Sequence, residues 1–300
     1  MSEYNEFQDD EDLYDDEDEG EGDKNAREDE WDEEKEKPKS EHKTKKSRRS
    51  SLEWIIIIAL AVVFAVSAFH VISIAVSYGK AKSEYEELDL YIEATSEEQQ
   101  ETEENRYPDL DIDYDALKEI NSDFVGVISI PVLDLVYPVV QTDDNTTYLN
   151  TTFEGTTNSS GCIFLDSLAS PDFSSWNTFV FGHNMKNMTM FGSLKLFQQD
   201  EDLCDTNPYI YIYQEDQVLI YRIFAYYTIP VDDDVYLDFE DEEGYDAYVE
   251  DALYHSIYSL DEEVVNWEER PNLLTLSTCY ATGHVNNFIV QGVCVDVVEQ

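Results

Sequence analysis

Apolar positions obey three different rules along this 300-residue chain. From Met1 to Ser50 they obey none. Twenty-one acids and ten bases leave almost no aliphatic residue to bury, which predicts a disordered acidic arm, with its bases gathered last at Lys43, Lys45, Lys46, Arg48 and Arg49. From Trp54 to Tyr78 nearly every position is apolar and none carries a formal charge. At 1.5 Å per residue this predicts one helix of roughly 37 Å, enough to cross a hydrocarbon core of ~30 Å. Beyond Tyr107 the apolar residues come in short runs rich in Val, Ile, Tyr and Phe, separated by Asp, Asn, Gly and Pro. The runs are VGVISIP, LVYPVVQ, CIFLDS, NTFVFGH, YIYIYQ, VLIYRIFAYYTIP, NLLTLSTCY and NFIVQGVCVDVV. Eight such segments predict a mainly β domain, a barrel or a sandwich. A helical stretch interrupts them over about 242–260, with Tyr245, Tyr248, Leu253 and Ile257 on related faces.

Between the long helix and the β segment, residues 79–106 are acid-rich and free of Pro, with Tyr85, Leu88 and Ile92 at helical spacing. They predict a partly helical stalk. The expected organisation is therefore an arm (1–50), a membrane anchor (54–78), a stalk (79–106) and a folded domain (107–300). Five bases precede the apolar span closely, against Lys80 and Lys82 just after it. The positive-inside rule then predicts a single pass with the N-terminus in the cytoplasm and the β domain outside.

Charge narrows the function. A net charge of −50 gives little base from which to build a phosphate-binding face, so nucleic acid is excluded as a partner. Four cysteines without a C-x-x-C pair suggest neither a disulfide framework nor zinc. Cys162 and Cys294 lie in apolar runs and read as buried residues, while Cys204 reads as part of an acidic loop. The acidic run Asp232-Asp233-Asp234 lacks the spacing of a calcium loop and reads as a solvated face. No metal or cofactor is expected.

Two strand ends carry groups that could do chemistry. Cys279 closes Leu273–Thr278, and His183 closes Thr178–Gly182. A thiol and an imidazole are the minimum for a nucleophile and its proton partner. Taken alone, the residues favour the plainer reading, a small core cysteine and a turn histidine, over the chemical one.

Thr275-Leu276-Ser277-Thr278-Cys279 matches the Thr-Leu-x-Thr-Cys signature of sortases. Phe181-Gly182-His183-Asn184-Met185-Lys186, with Met190-Phe191-Gly192 after it, resembles the histidine segment of class B sortases. Asn121–Gly126, Ile130-Pro131, Tyr137–Gln141, Tyr148-Leu149 and Ile163–Asp166 follow the same family's order. The resemblance runs from about residue 115 to 298. It implies an eight-stranded sortase-type β-barrel with a few peripheral helices, and a cysteine transpeptidase using Cys279 as nucleophile and His183 as proton donor and acceptor. Its partners would be secreted proteins bearing a C-terminal sorting signal, and an amine acceptor from a peptidoglycan precursor or a pilin.

One position departs from the family. Sortases carry an arginine on the strand after the cysteine, and here Asn287 stands in that position, with no arginine after Arg270. An amide can donate to an oxyanion but lacks the charge and the fork of a guanidinium. His284 and Arg222 are the candidates for compensation. The departure keeps two other functions in view: a sortase-like scaffold that binds sorting signals without turnover, and a thiol hydrolase with water as acceptor.

Overall fold

The structure, a computed structural model, describes residues 51–94, 107–200, 202–231, 234–236, 239, 241–260, 264–279 and 285–300. The expected acidic arm, most of the acidic run after Val231, and His284 lie outside the described residues. The chain divides into two units, residues 1–56 and 57–300.

Helix α1 (Ser51–Leu88) is one continuous element. Its apolar side chains from Leu52 to Val76 are exposed on all sides, as a helix surrounded by lipid would present them. It is long and apolar enough to cross a membrane. Its last turns change character: Ala81, Tyr85 and Leu88, spaced i, i+4, i+7, are buried. The helix stops at Leu88, and after a turn Ile92 enters strand β1 (Ile92–Ala94), which pairs with β2 (Leu110–Ile112). The helical spacing of Ile92 with Tyr85 and Leu88 therefore reflects a shared buried side and not one continuous helix.

After α2 (Tyr114–Ile120), capped by the Asp113 side chain on the Ala116 N–H, the eight apolar runs form eight strands. These are β3 (Phe124–Ile130), β4 (Leu135–Val140), β5 (Ile163–Leu165), β6 (Asn177–His183), β7 (Tyr209–Tyr213), β8 (Gln217–Pro230), β9 (Leu273–Cys279) and β10 (Asn286–Glu299). They close into a barrel in the order β10-β8-β7-β3-β4-β5-β6-β9. The neighbours β4–β5 and β6–β9 are parallel, and the other pairs are antiparallel. Closure removes the unpaired edges an open sheet would present.

Alternation along the strands sorts side chains between two cores. Leu274, Leu276, Val180, Phe288 and Val290 point into the barrel with Ile128 and Val140. Leu273, Ile289 and Val293 belong to a second cluster outside it, with Tyr227 and Ile229 of β8. That cluster is covered by α5 (Glu242–His255) through Tyr245, Val249 and Ala252. Each large aliphatic side chain so buried contributes about 1.5–3 kcal/mol.

Helix α5 begins where expected, with the Asp241 carboxylate accepting from the Gly244 N–H at 2.8 Å. It ends at His255, short of the expected 260. There the Ile257 N–H donates to the Tyr226 carbonyl of β8 at 3.0 Å, so the sheet captures the chain and leaves Ile257 exposed. The buried face follows Tyr245-Val249-Ala252, with Leu253 outside it.

Cys204 corrects its expected loop placement. It lies in the short helix α4 (Leu203–Thr206), which follows α3 (Leu196–Gln199), and is fully buried. Cys162 is buried, Cys294 half-buried, and all three are free thiols. Burial pushes the Cys162 and Cys204 thiols up to about 12 and Cys294 to about 11. Unfolded thiols ionise near ~8.5, so alkali favours the unfolded chain. The stabilisation is complete below that value and is lost as pH rises through the folded pKa. The urea midpoint is expected to fall steadily from about pH 9 to pH 11. Cys162→Ala should make that fall shallower.

Candidate active site

The barrel wall facing α5 carries a polar ladder, and its residue types follow from the strand alternation. On β9, Thr275 and Ser277 share one face, while Leu276 and Thr278 share the other. The parallel pairing of β6 and β9 matches Phe179 to Thr275, Phe181 to Ser277 and His183 to Cys279. The two candidate chemical residues are thus level with each other at adjacent strand ends. On the other side of β9, Ile289 of β10 pairs with Ser277. The same antiparallel register carried two residues further sets Asn287 across from Cys279. Sequence-distant His183, Cys279 and Asn287 therefore meet at one end of three neighbouring strands.

The signature around the cysteine has distinct physical duties. Thr275 Oγ1 donates to Asn177 Oδ1 at 2.9 Å and meets Tyr248 Oη at 3.2 Å. Gln291 of β10 joins this group, donating to Tyr248 Oη at 2.7 Å and accepting from Tyr227 Oη at 3.2 Å. Leu276 fills the barrel core. Thr278, on the inner face, accepts from the Phe288 N–H at 3.0 Å and fastens β10 beside the cysteine strand. A buried hydroxyl needs such partners, and apart from the half-buried Tyr248 these residues are almost wholly shielded from water.

His183 is half-buried, and its Nε2 lies 2.6 Å from the Leu149 carbonyl oxygen. A carbonyl can only accept, so Nε2 carries a hydrogen and Nδ1 is the nitrogen whose proton can come and go. The segment that supplies this carbonyl is shaped by Gly161, whose φ of +59° suits glycine. A Cβ there would lie 2.9 Å from the Leu149 carbonyl, closer still to that of Tyr148, and 3.1 Å from the His183 ring. The Gly161 carbonyl accepts from Tyr85 Oη of α1 at 2.9 Å. Asn184, next to His183, is exposed, and its backbone bridges to Met190 to close a tight loop.

Asn287 is 7% exposed. Its Nδ2 donates to Tyr236 Oη at 2.8 Å, and Tyr236 Oη lies 2.7 Å from Ser277 Oγ. The tyrosine ring packs beside Phe179 and Phe181. Sequence reading missed Tyr236, whose only signal is an aromatic residue inside an acidic run. Arg222, a candidate for compensation, is not at the site. It pairs with Val293, whereas Asn287 pairs with Ile229, seven residues along β8 and so about 23 Å away at the rise of a strand. Its guanidinium lies over the Tyr209 ring and donates to the Tyr209 hydroxyl. Among the described residues no cluster of His, Cys, Asp and Glu could hold a metal ion.

The family model described as the sortase domain matches residues 128–295, more than half of the chain. A curated relative, sortase B of Staphylococcus aureus, is 26% identical over 228 residues, covering 75% of this chain and 88% of that protein. The crystal structure of Clostridium perfringens sortase B superposes with a TM-score of 0.55 at 30% identity, over 61% of this chain and 99% of that one. The structure of sortase B from B. anthracis in complex with AAEK1 gives 0.60 at 27% identity, over 76% of this chain and all of the other. The closed eight-stranded barrel, the cysteine signature and these likenesses agree: the chain belongs to the sortase family, in class B.

Proposed function

We propose that this chain is a membrane-anchored transpeptidase that cleaves the C-terminal sorting signal of secreted proteins and transfers the acyl group to an amine of the cell wall or of a pilin. The observation that carries the reading is the parallel register that pairs His183 with Cys279. Residues 1–50 would form a cytoplasmic arm and 54–78 a single membrane pass. Residues 79–106 would join the span to an external catalytic domain over 107–300.

In this mechanism the Cys279 thiolate adds to the scissile carbonyl, and the Asn287 amide donates to the developing oxyanion. Collapse breaks the C–N bond as protonated His183 gives its Nδ1 proton to the leaving amine, and a thioester remains. An incoming amine then adds to the thioester carbon and gives a proton to neutral His183. The C–S bond breaks, an amide forms, and both side chains regain their starting states. Thr275, Leu276 and Thr278 support the cysteine strand.

The test mixes the full chain in detergent with a panel of sorting-signal peptides and follows intact mass. An acyl adduct on Cys279 that an added amine discharges supports the transpeptidase. Discharge by water at a rate indifferent to amine supports the hydrolase. Peptide binding without an adduct supports the scaffold, the reading that the amide at position 287 favours.

Gly161→Ala offers an independent check on the histidine. It adds ~1–2 kcal/mol of backbone strain, and the crowded carbonyls must shift, among them the one that holds His183. Displacements of about 1 Å cost on the order of 10²-fold in rate, and a loss of that size is expected in peptide acylation. Gly155→Ala is the control. Its φ of +81° brings similar strain, but nothing lies within 4 Å of the added carbon, so acylation should be unchanged.

A further inference from the structure

Asn287 is a poor stand-in for an arginine unless something decides which end of its amide faces Cys279. A guanidinium presents N–H groups on every side, whereas an amide presents a donor at one end and an acceptor at the other. Nδ2 donates to Tyr236 Oη at 2.8 Å, while Oδ1 is buried with no hydrogen-bond partner among the described residues. A buried polar atom left unpaired costs about 1–3 kcal/mol, and no described residue supplies a partner at this end. The β9–β10 register, carried two residues past its last pair of Ile289 with Ser277, brings Asn287 level with the end of the cysteine strand.

We propose that Tyr236 is a positioning residue for the transpeptidase reaction, holding the Asn287 amide and letting it present an N–H to the acyl oxygen at Cys279. This rests on the activity proposed above. The phenol sits between two polar groups, Asn287 Nδ2 and Ser277 Oγ at 2.8 and 2.7 Å, and a hydroxyl both donates and accepts. With the amide as it stands, Nδ2–H donates to the tyrosine and Oδ1 occupies the open end. After a half-turn of the amide, Ser277 O–H donates to Tyr236, Tyr236 O–H donates to Oδ1, and an N–H occupies the open end. The line of hydrogen bonds stays complete in both states, so the amide turns without leaving the tyrosine. Negative charge on the acyl oxygen favours the second state, because the N–H then meets that charge. Packing of the ring beside Phe179 and Phe181 fixes the phenol independently of the amide it holds.

The test uses the full chain and single-turnover acylation by the best peptide of the panel. Tyr236→Phe keeps the ring and its packing and removes the hydroxyl. The maximal acylation rate is expected to fall by about 10²-fold, the effect of losing one oxyanion donor. The peptide concentration for half-maximal rate should stay within about twofold. Asn287→Ala should show a similar loss, and the double substitution should be no slower than Asn287→Ala alone, as for two groups acting as a unit. In the Asn287→Arg background, loss of the phenol should cost little, because the guanidinium needs no orienting. Multiplicative losses, or a Tyr236→Phe rate within about twofold of native, the noise of independent sites, would overturn the proposal. Should the native chain form no adduct, the activity reading fails and the amide is read directly by NMR of ¹⁵N-labelled protein. Movement of the Asn287 side-chain N–H resonances in Tyr236→Phe supports the positioning role; unmoved resonances refute it.

Discussion

Full chain carrying Cys279→Ala is expected to form no adduct with any peptide that acylates the native protein, and to transfer nothing to an amine. The loss should be complete because no other group can take over. The Cys162 and Cys204 thiols are buried, with ionisation pushed up to about 12, and Cys294 is held near 11. At neutral pH these sulfurs are protonated, and the thiolate is the nucleophile. Ser277 lies two residues earlier on the strand, but its hydroxyl is engaged with Tyr236, and its partner in register on β6 is Phe181, which is no base. Enzymes accelerate such reactions by 10⁶-fold or more, so a residual rate near background is the expected reading by intact mass. An adduct that persists on the variant and maps to another thiol would rule out Cys279 as the nucleophile.

His183→Ala should leave the thiol in place and slow its acylation by about 10²–10⁴-fold, the range for a positioned acid–base group. The substitution removes a half-buried ring that bonds the Leu149 carbonyl, so the barrel should keep its stability to within a modest loss. One comparison separates this from general damage. A peptide ester with a good leaving group needs no proton from an acid, so it should acylate the variant far better than the matching amide. Equal losses for ester and amide would show that the imidazole supplies structure and not a proton.

The strands were legible because they are short, β-branched and aromatic, and divided by turn residues. That pattern fits a sandwich as well as a barrel, and only the family resemblance implied closure into a barrel. All eight apolar runs became its strands. The two-stranded ladder of β1 and β2 was not legible, since Ile92 shares a helical spacing with Tyr85 and Leu88. The end of α5 was misread for a related reason: Ile257 keeps the helical period, but the Tyr226 carbonyl takes its N–H. Cys279 and His183 could be named from local motifs, whereas their pairing depends on a parallel register between strands nearly a hundred residues apart. Tyr236 had no motif to reveal it. Its importance lies in contacts with Ser277 and Asn287, both more than forty residues further on. Such partnerships belong to the closed sheet, and a one-dimensional pattern carries no trace of them.

Helix α1 runs unbroken to Leu88 and joins the barrel core through Tyr85 and Leu88. On the proposed reading, with the apolar span in a bilayer up to Tyr78, only about three residues, or ~5 Å of helix, would separate the lipid surface from Ala81, the first buried side chain of the helix. So short a mast would hold the barrel close to the lipid. The barrel would work as a fixed station at the membrane surface, meeting polypeptides as they emerge beside it and acceptors that are themselves held in the lipid, while a chain already adrift in the wall would pass beyond its reach.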